Sequence, residues 1–266
     1  MKVSDHTFHD HEKHATQRLT LTGALAVSSN TGAIQVGQLL GADTLYSYLT
    51  KFGIGSQTGS NLPGESAGLL PARNKWSGTT MPTVSFGQGY SLTAMQATAV
   101  FATIANDGVR VPPTVVAGTS SGTGSFTPMS AASGVRVISK ETAQTLRLML
   151  ESVVSDQGTA PSAAKKGYRI AGKTGTAERF NDACGCYSGY TASFIGMAPA
   201  DKPAYVVSVA IQAPQGIHWG GYLGGPVFKK VMSYVLQAKH IPPTNTLATR
   251  YPLSEADLTA GLKAKQ

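Results

Sequence analysis

An α+β fold is predicted by the order of elements along this 266-residue chain. Three observations predict it: apolar residues recur at helical spacing through the first part, three β-rich runs follow one another in the last third, and a further helical run closes the pattern. The first helix falls over 20–28, TLTGALAVS, where Leu21 and Leu25 lie four apart on one face. Helices over 32–40 and 42–52 come next, the second ending at Gly53. A Gly-, Pro- and Ser-rich stretch, GIGSQTGSNLPGESAGLLPARNKWSG, reads as a long irregular connection. The segment 91–106 predicts a buried helix with Leu92, Met95, Ala99 and Ala102 at helical spacing. A Gly/Ser-rich loop over 118–134 leads to Ser139, which caps an amphipathic helix carrying Ala143, Leu146, Leu150 and Val153. Strands are predicted over 168–177, 190–197 and 204–213, and a last helix over 225–238 with Pro226 in its first turn. No internal repeat is present.

Composition narrows the function classes. Hydrophobic content of 41% against 14% charged residues indicates a folded chain. The formal charge of +8 suits an anionic neighbour. The basic residues are scattered, with no run denser than Lys165-Lys166 or Lys229-Lys230, so nucleic acid is not an expected partner. No run of 18 apolar residues exists and the start has no apolar core of a signal peptide. Taken alone the chain reads as soluble, an expectation that fails if it is a piece of something longer.

Two clusters bear on chemistry without deciding it. His6, His9, His11 and His14, interleaved with Asp5, Asp10 and Glu12, could bind a metal, and a solvated N-terminal segment over 1–18 is the plainer reading. Cys184 and Cys186 are one residue apart; a pair of loop thiols is expected before a strained or intermolecular disulfide, and a metal site last.

The stretch GYRIAGKTG fits two patterns. Gly167, Gly172, Lys173 and Thr174 match the phosphate-cradling G-x-x-x-x-G-K-[ST], but no buried strand precedes them and no helical repeat follows. Lys173-Thr174-Gly175 is also the K-T-G strand of penicillin-binding enzymes. Here Tyr168, Arg169, Ile170 and Ala171 favour extended chain. Lys173 supplies a positive charge, Gly175 permits close approach, and Thr174 and Thr176 present hydroxyls suited to a substrate carboxylate. A second motif is Ser28-Ser29-Asn30, placed where a helix ends and the chain must turn. Ser28 can relay a proton, and Asn30 offers a donor and an acceptor to an amide.

The segments LTGALAVSSNTG, KFGIGSQTGSNLPGESAGLLP, FGQGYSLTAMQ, IANDGVRVPP, GYRIAGKTGTA and GGPVFKKVM, in this order, resemble class B penicillin-binding proteins. The resemblance is nearest to the septal D,D-transpeptidases of actinobacteria, where a Cys-Gly-Cys-Tyr after the K-T-G strand is also familiar. It implies a penicillin-binding, β-lactamase-like transpeptidase fold over 19–241, truncated at its N-terminus; the tail over 242–266, with Pro242-Pro243 and little apolar content, reads as loosely held. It implies three of the family's five strands, with one sheet edge short of its usual partners.

The resemblance also implies roles. Ser28 and Lys173 would flank a nucleophile and assist proton transfer, Asn30 would bind the donor peptide, and Thr174, Gly175 and Thr176 would line the terminal D-Ala carboxylate. The backbone N–H of Thr176 would form half of an oxyanion hole. No metal or organic cofactor is needed. The implied partners are peptidoglycan stem peptides ending in D-Ala-D-Ala, β-lactams and, for the full-length family, membrane proteins of the division machinery, with the catalytic domain outside the cytoplasmic membrane. The sequence departs from the family at one point. Its single S-x-x-K, Ser162 to Lys165, follows Ser28-Ser29-Asn30 and lies in a polar loop, so it reads as coincidental. The chain is therefore expected to lack the nucleophile and to be inactive alone. Two alternatives are a serine β-lactamase or D,D-carboxypeptidase relative, and a noncatalytic scaffold module of the division machinery.

Overall fold

The computed structural model describes residues 1–122, 124–130, 132–181 and 183–263. Two short antiparallel strands, β1 (Lys2–Val3) and β2 (His6–Thr7), precede the helices α1 (Leu21–Ala26), α2 (Asn30–Leu40), α3 (Ala42–Lys51), α4 (Thr80–Ser85) and α5 (Ala94–Ala105). Next come β3 (Val109–Arg110), β4 (Gly118–Ser120), β5 (Phe126–Pro128) and β6 (Val135–Arg136), then α6 (Lys140–Glu151). The main sheet is β7 (Ala171–Asn181), β8 (Cys186–Ala198) and β9 (Tyr205–Gln212), followed by α7 (Gly220–Ala238) and α8 (Glu255–Lys263).

The meander is antiparallel in the order β7-β8-β9, so β7 and β9 are its edges among the described residues. Residues 194–198 of β8 are buried without a break. Successive strand side chains point to opposite faces, so both faces of the sheet are covered there. Phe194 and Met197 join Phe228, Met232 and Leu236 of α7, Ile104 of α5 and Leu150 of α6 in one core.

Several boundaries differ from expectation for local reasons. Helix α5 starts at Ala94 because Thr93 and Gln96 form a capping box, each side chain bonding the other's backbone N–H. Gln96 Nε2 also donates to the carbonyls of Ser56 and Ala67, both at 2.8 Å, and so ties the long connection after Gly53 to α5. That connection further holds a 3₁₀ turn, Arg73–Lys75, and leads into α4, which periodicity did not reveal. The 118–134 loop contains the β4–β5 hairpin.

Strand β7 begins only at Ala171. Tyr168 and Arg169 are drawn aside, Tyr168 to the Ile241 carbonyl and Arg169 to Glu151. Helix α7 starts five residues before the expected position, so Pro226 sits at its seventh residue and not in its first turn. The glycines ahead of the expected start are what allow this. A Cβ on Gly220 would collide with the carbonyls of Gly175 and Ser193, and one on Gly221 with that of Thr159.

Cys184 and Cys186 are joined in a disulfide with Cα atoms 5.2 Å apart, in place of the free thiols expected of this loop. Beyond α7 the chain returns to α1. The Thr20 N–H donates to the Leu253 carbonyl at 3.0 Å and the Thr20 hydroxyl to that of Pro252 at 2.7 Å.

Candidate active site

Helix α1 ends at Ala26, and Ser29 caps α2 by accepting from the Gly32 N–H. Between them Ser28 takes φ = 58°. A left-handed serine is uncommon outside sites whose surroundings enforce it. This turn lies against the edge strand β7. Ser28 Oγ accepts from Lys173 Nζ at 2.6 Å, closing a contact across 145 residues. Lys173 Nζ also donates to the Thr174 carbonyl at 3.2 Å.

Burial lowers the Lys173 ammonium from its ordinary 10.5 to about 8. The folded chain thus disfavours the charged form, and unfolding takes up a proton between pH 8 and 10.5. Stability is expected to rise with pH across that window and to bear the full cost of the buried charge below pH 8. Thermal melts from pH 7 to 10.5 test this: the Lys173→Met chain should give a flatter profile than the parent, and parallel profiles would refute it.

Thr174 and Thr176 share one face of β7, with Gly175 between them. Both hydroxyls already have protein partners. Thr174 Oγ1 lies 2.8 Å from Thr159 Oγ1, and Thr176 Oγ1 accepts from the Gly220 N–H at 3.1 Å. A hydroxyl that accepts still has its own proton to give, so Thr176 retains a donor for an anionic group. Gly175 pairs with Ser193, whose Oγ a Cβ at this position would meet at 2.5 Å. As an edge strand, β7 leaves alternate backbone groups facing away from β8. Asn30, the first residue of α2, donates from Nδ2 to the His9 carbonyl at 3.1 Å.

Ser28, Asn30, Lys173, Thr174, Gly175 and Thr176 therefore come from two elements that meet at Ser28 and Lys173. Ser162 and Lys165 do not pair with each other: Ser162 Oγ donates to the Gly221 carbonyl at 2.9 Å, and Lys165 Nζ sits over the Tyr168 ring.

Sequence reasoning missed three contributors. Thr159 reaches Thr174 from a loop that carries no motif. His218 stacks on Tyr190 at 4.1 Å and Trp219 lies 4.6 Å from His218, so rings line the approach to α7. His11 stands 5.3 Å from Trp219, and His14 Nε2 lies 3.0 Å from Asp10 Oδ2. Among the described residues no group of three or more His, Cys, Asp or Glu could hold a metal ion.

Residues 1–233 match the family described as "Penicillin binding protein transpeptidase domain". The chain belongs to that family. The match runs from residue 1 and so takes in the His-rich segment. The chain is 44% identical to the penicillin-binding protein PbpB of Mycolicibacterium smegmatis over 89% of its length and 38% of the relative's. It is 35% identical to the peptidoglycan D,D-transpeptidase FtsI of Escherichia coli over 91% of its length and 39% of the relative's. The crystal structure of penicillin-binding protein 3 from Mycobacterium tuberculosis, complexed with ampicillin, superposes with a TM-score of 0.87 at 40% identity. It covers 93% of this chain and 57% of that one. A peptidoglycan synthetase from Bifidobacterium adolescentis superposes with a TM-score of 0.86 at 32% identity, over 96% of this chain and 46% of that one. The α+β fold is thus the penicillin-binding transpeptidase fold, and the chain spans about two fifths of the length of these curated relatives.

Proposed function

We propose that this chain forms the S-x-N and K-T-G side of a peptidoglycan D,D-transpeptidase site, which acts through an acyl-enzyme when a serine nucleophile is supplied. The observation that carries the reading is the 2.6 Å contact between Lys173 Nζ and Ser28 Oγ. It couples a lysine of lowered pKa to a hydroxyl, the arrangement a proton relay beside an attacking serine requires. Asn30 orients the donor peptide, and Thr174 and Thr176 hold the terminal carboxylate of a D-Ala-D-Ala stem or of a β-lactam. The Thr176 N–H, on the edge strand, stabilises the oxyanion. The native protein works outside the cytoplasmic membrane with division proteins as neighbours; no helix among the described residues is long and apolar enough to cross a membrane.

Fluorescent penicillin tests the assignment. The 266-residue chain alone should form no stable covalent adduct. The native cellular protein bearing this sequence should label, and its Lys173→Ala variant should label at least about 100-fold more slowly. An adduct on the isolated chain, or unimpaired labelling of the variant, would reject these roles. Nitrocefin turnover would favour the β-lactamase alternative.

A further inference from the structure

Two adjacent residues ahead of α1 grip the turn that carries Ser28. Asp10 reaches the start of α2 across 19 to 21 residues of sequence. Its Oδ1 accepts from the Thr31 backbone N–H at 2.8 Å. Its Oδ2 accepts from the Ser29 hydroxyl at 2.9 Å, from the Thr31 hydroxyl at 3.2 Å and lies 3.0 Å from His14 Nε2. Next to it, the His9 carbonyl accepts from Asn30 Nδ2. Ser29, Asn30 and Thr31 are all held from this segment, and Ser28 is left facing Lys173.

The Asp10 side chain is only 9% exposed, so these are bonds to a nearly buried carboxylate. Burial alone would push its pKa up. The Thr31 backbone N–H, then His14, Ser29 and the Thr31 hydroxyl outweigh burial and hold the carboxyl below its usual range. The exposed His14 moves the other way, raised by the Ala15 carbonyl first and by Asp10. A cap is not what α2 lacks, because Ser29 already supplies one. What Asp10 adds is a tie between a separate segment and the turn itself.

We infer that Asp10 is a positioning residue for the candidate site: its carboxylate, seated by His14, fixes the 29–31 turn and thereby holds Ser28 against Lys173. The inference rests on the transpeptidase reading for what the site does, whereas its geometry stands without it.

Titration of Lys173 by NMR in the folded 266-residue chain is the test. The titratable groups at the turn are Asp10, His14 and Lys173, with His9, His11, Glu12 and Lys13 on the same segment. Asp10→Asn removes a negative charge, which by itself lowers the lysine midpoint. Loosening the turn admits water to the ammonium and raises it. The two effects have opposite signs, so the direction decides. We expect a rise of about one pH unit, from about 8 toward 10.5. An unchanged or lowered midpoint overturns the inference.

His14→Gln keeps the carboxylate and weakens its seat. It should give a smaller rise, and it carries the test if Asp10→Asn does not fold, with an unmoved midpoint then counting against the inference. Gln38→Gly, on the exposed side of α2 away from the turn, weakens the helix and should leave Lys173 unmoved. An equal rise there would make Asp10 a mere helix stabiliser and overturn the inference. Penicillin labelling does not enter these measurements, so failure of the transpeptidase reading would leave them intact.

Discussion

Replacing Arg169 by Met lowers the unfolding free energy by about 3–5 kcal/mol, because it leaves a buried carboxylate without its counter-charge. Glu151, at the end of α6, is 3% exposed, and the Arg169 side chain is 12% exposed. Arg169 Nε donates to Glu151 Oε2 at 3.0 Å and Nη2 to Oε1 at 2.6 Å, a planar two-bond fork that lysine cannot reproduce. The pair fastens α6 to the approach of β7, four residues before Lys173. Urea unfolding of the single variant should show the full loss. A chain with both Glu151→Leu and Arg169→Met should recover most of it, since an apolar pair of similar volume needs no compensation. A loss below about 1 kcal/mol in the single variant would show that water or another cation serves Glu151 and would remove this explanation.

Much of this was legible in the sequence because period and punctuation agreed. The meander was visible from β-rich runs, and α6 from a serine cap ahead of apolar spacing. Of the residues in the two triplets, Ser28 and Lys173 touch directly, whereas Asn30 bonds the His9 carbonyl. What stayed hidden has a common physical cause: it depends on which groups lie opposite each other after folding. Gly220, Gly221 and Gly224 fell outside the expected helix over 225–238, yet they belong to α7, since the missing side chain at Gly220 lets the helix press on the backbones of Gly175 and Ser193. Arg169 read as one more extended residue because its partner stands 18 positions away on a helix. Asp10 and His14 read as a solvated or metal-binding run, for nothing in their spacing points to Ser29 and Thr31. The disulfide between Cys184 and Cys186 depends on how the hairpin tip folds, which composition does not report.

Truncating Phe194 to Ala should cost about 3–5 kcal/mol and should also disturb the site, although the ring lies in the core. Phe194 is fully buried in β8, paired with Thr174 across the ladder. Its ring packs edge-to-face on Phe228 at 4.8 Å and fills the space that a side chain at Gly172 would take. At Gly224 a Cβ would come within 2.8 Å of Phe194 Cβ, so α7 also rests directly on this residue. The strand before Lys173, the centre of the sheet and the glycine face of α7 therefore share one support. Removing it opens a cavity beneath the K-T-G strand, and α7 can settle into it only by moving Gly220 relative to Thr176. Two measurements separate a local void from a coupled change: the denaturation midpoint and the Lys173 titration. A void alone destabilises the fold and leaves Lys173 at about 8. The packing described predicts that the midpoint also climbs toward the ordinary lysine value, as water reaches the ammonium through a loosened edge. Phe194→Leu, which keeps most of the volume, should give a smaller loss of stability and a smaller climb. An unmoved Lys173 in both variants would mean that the strand edge is held by Thr159, Ser28 and α7 without help from the core.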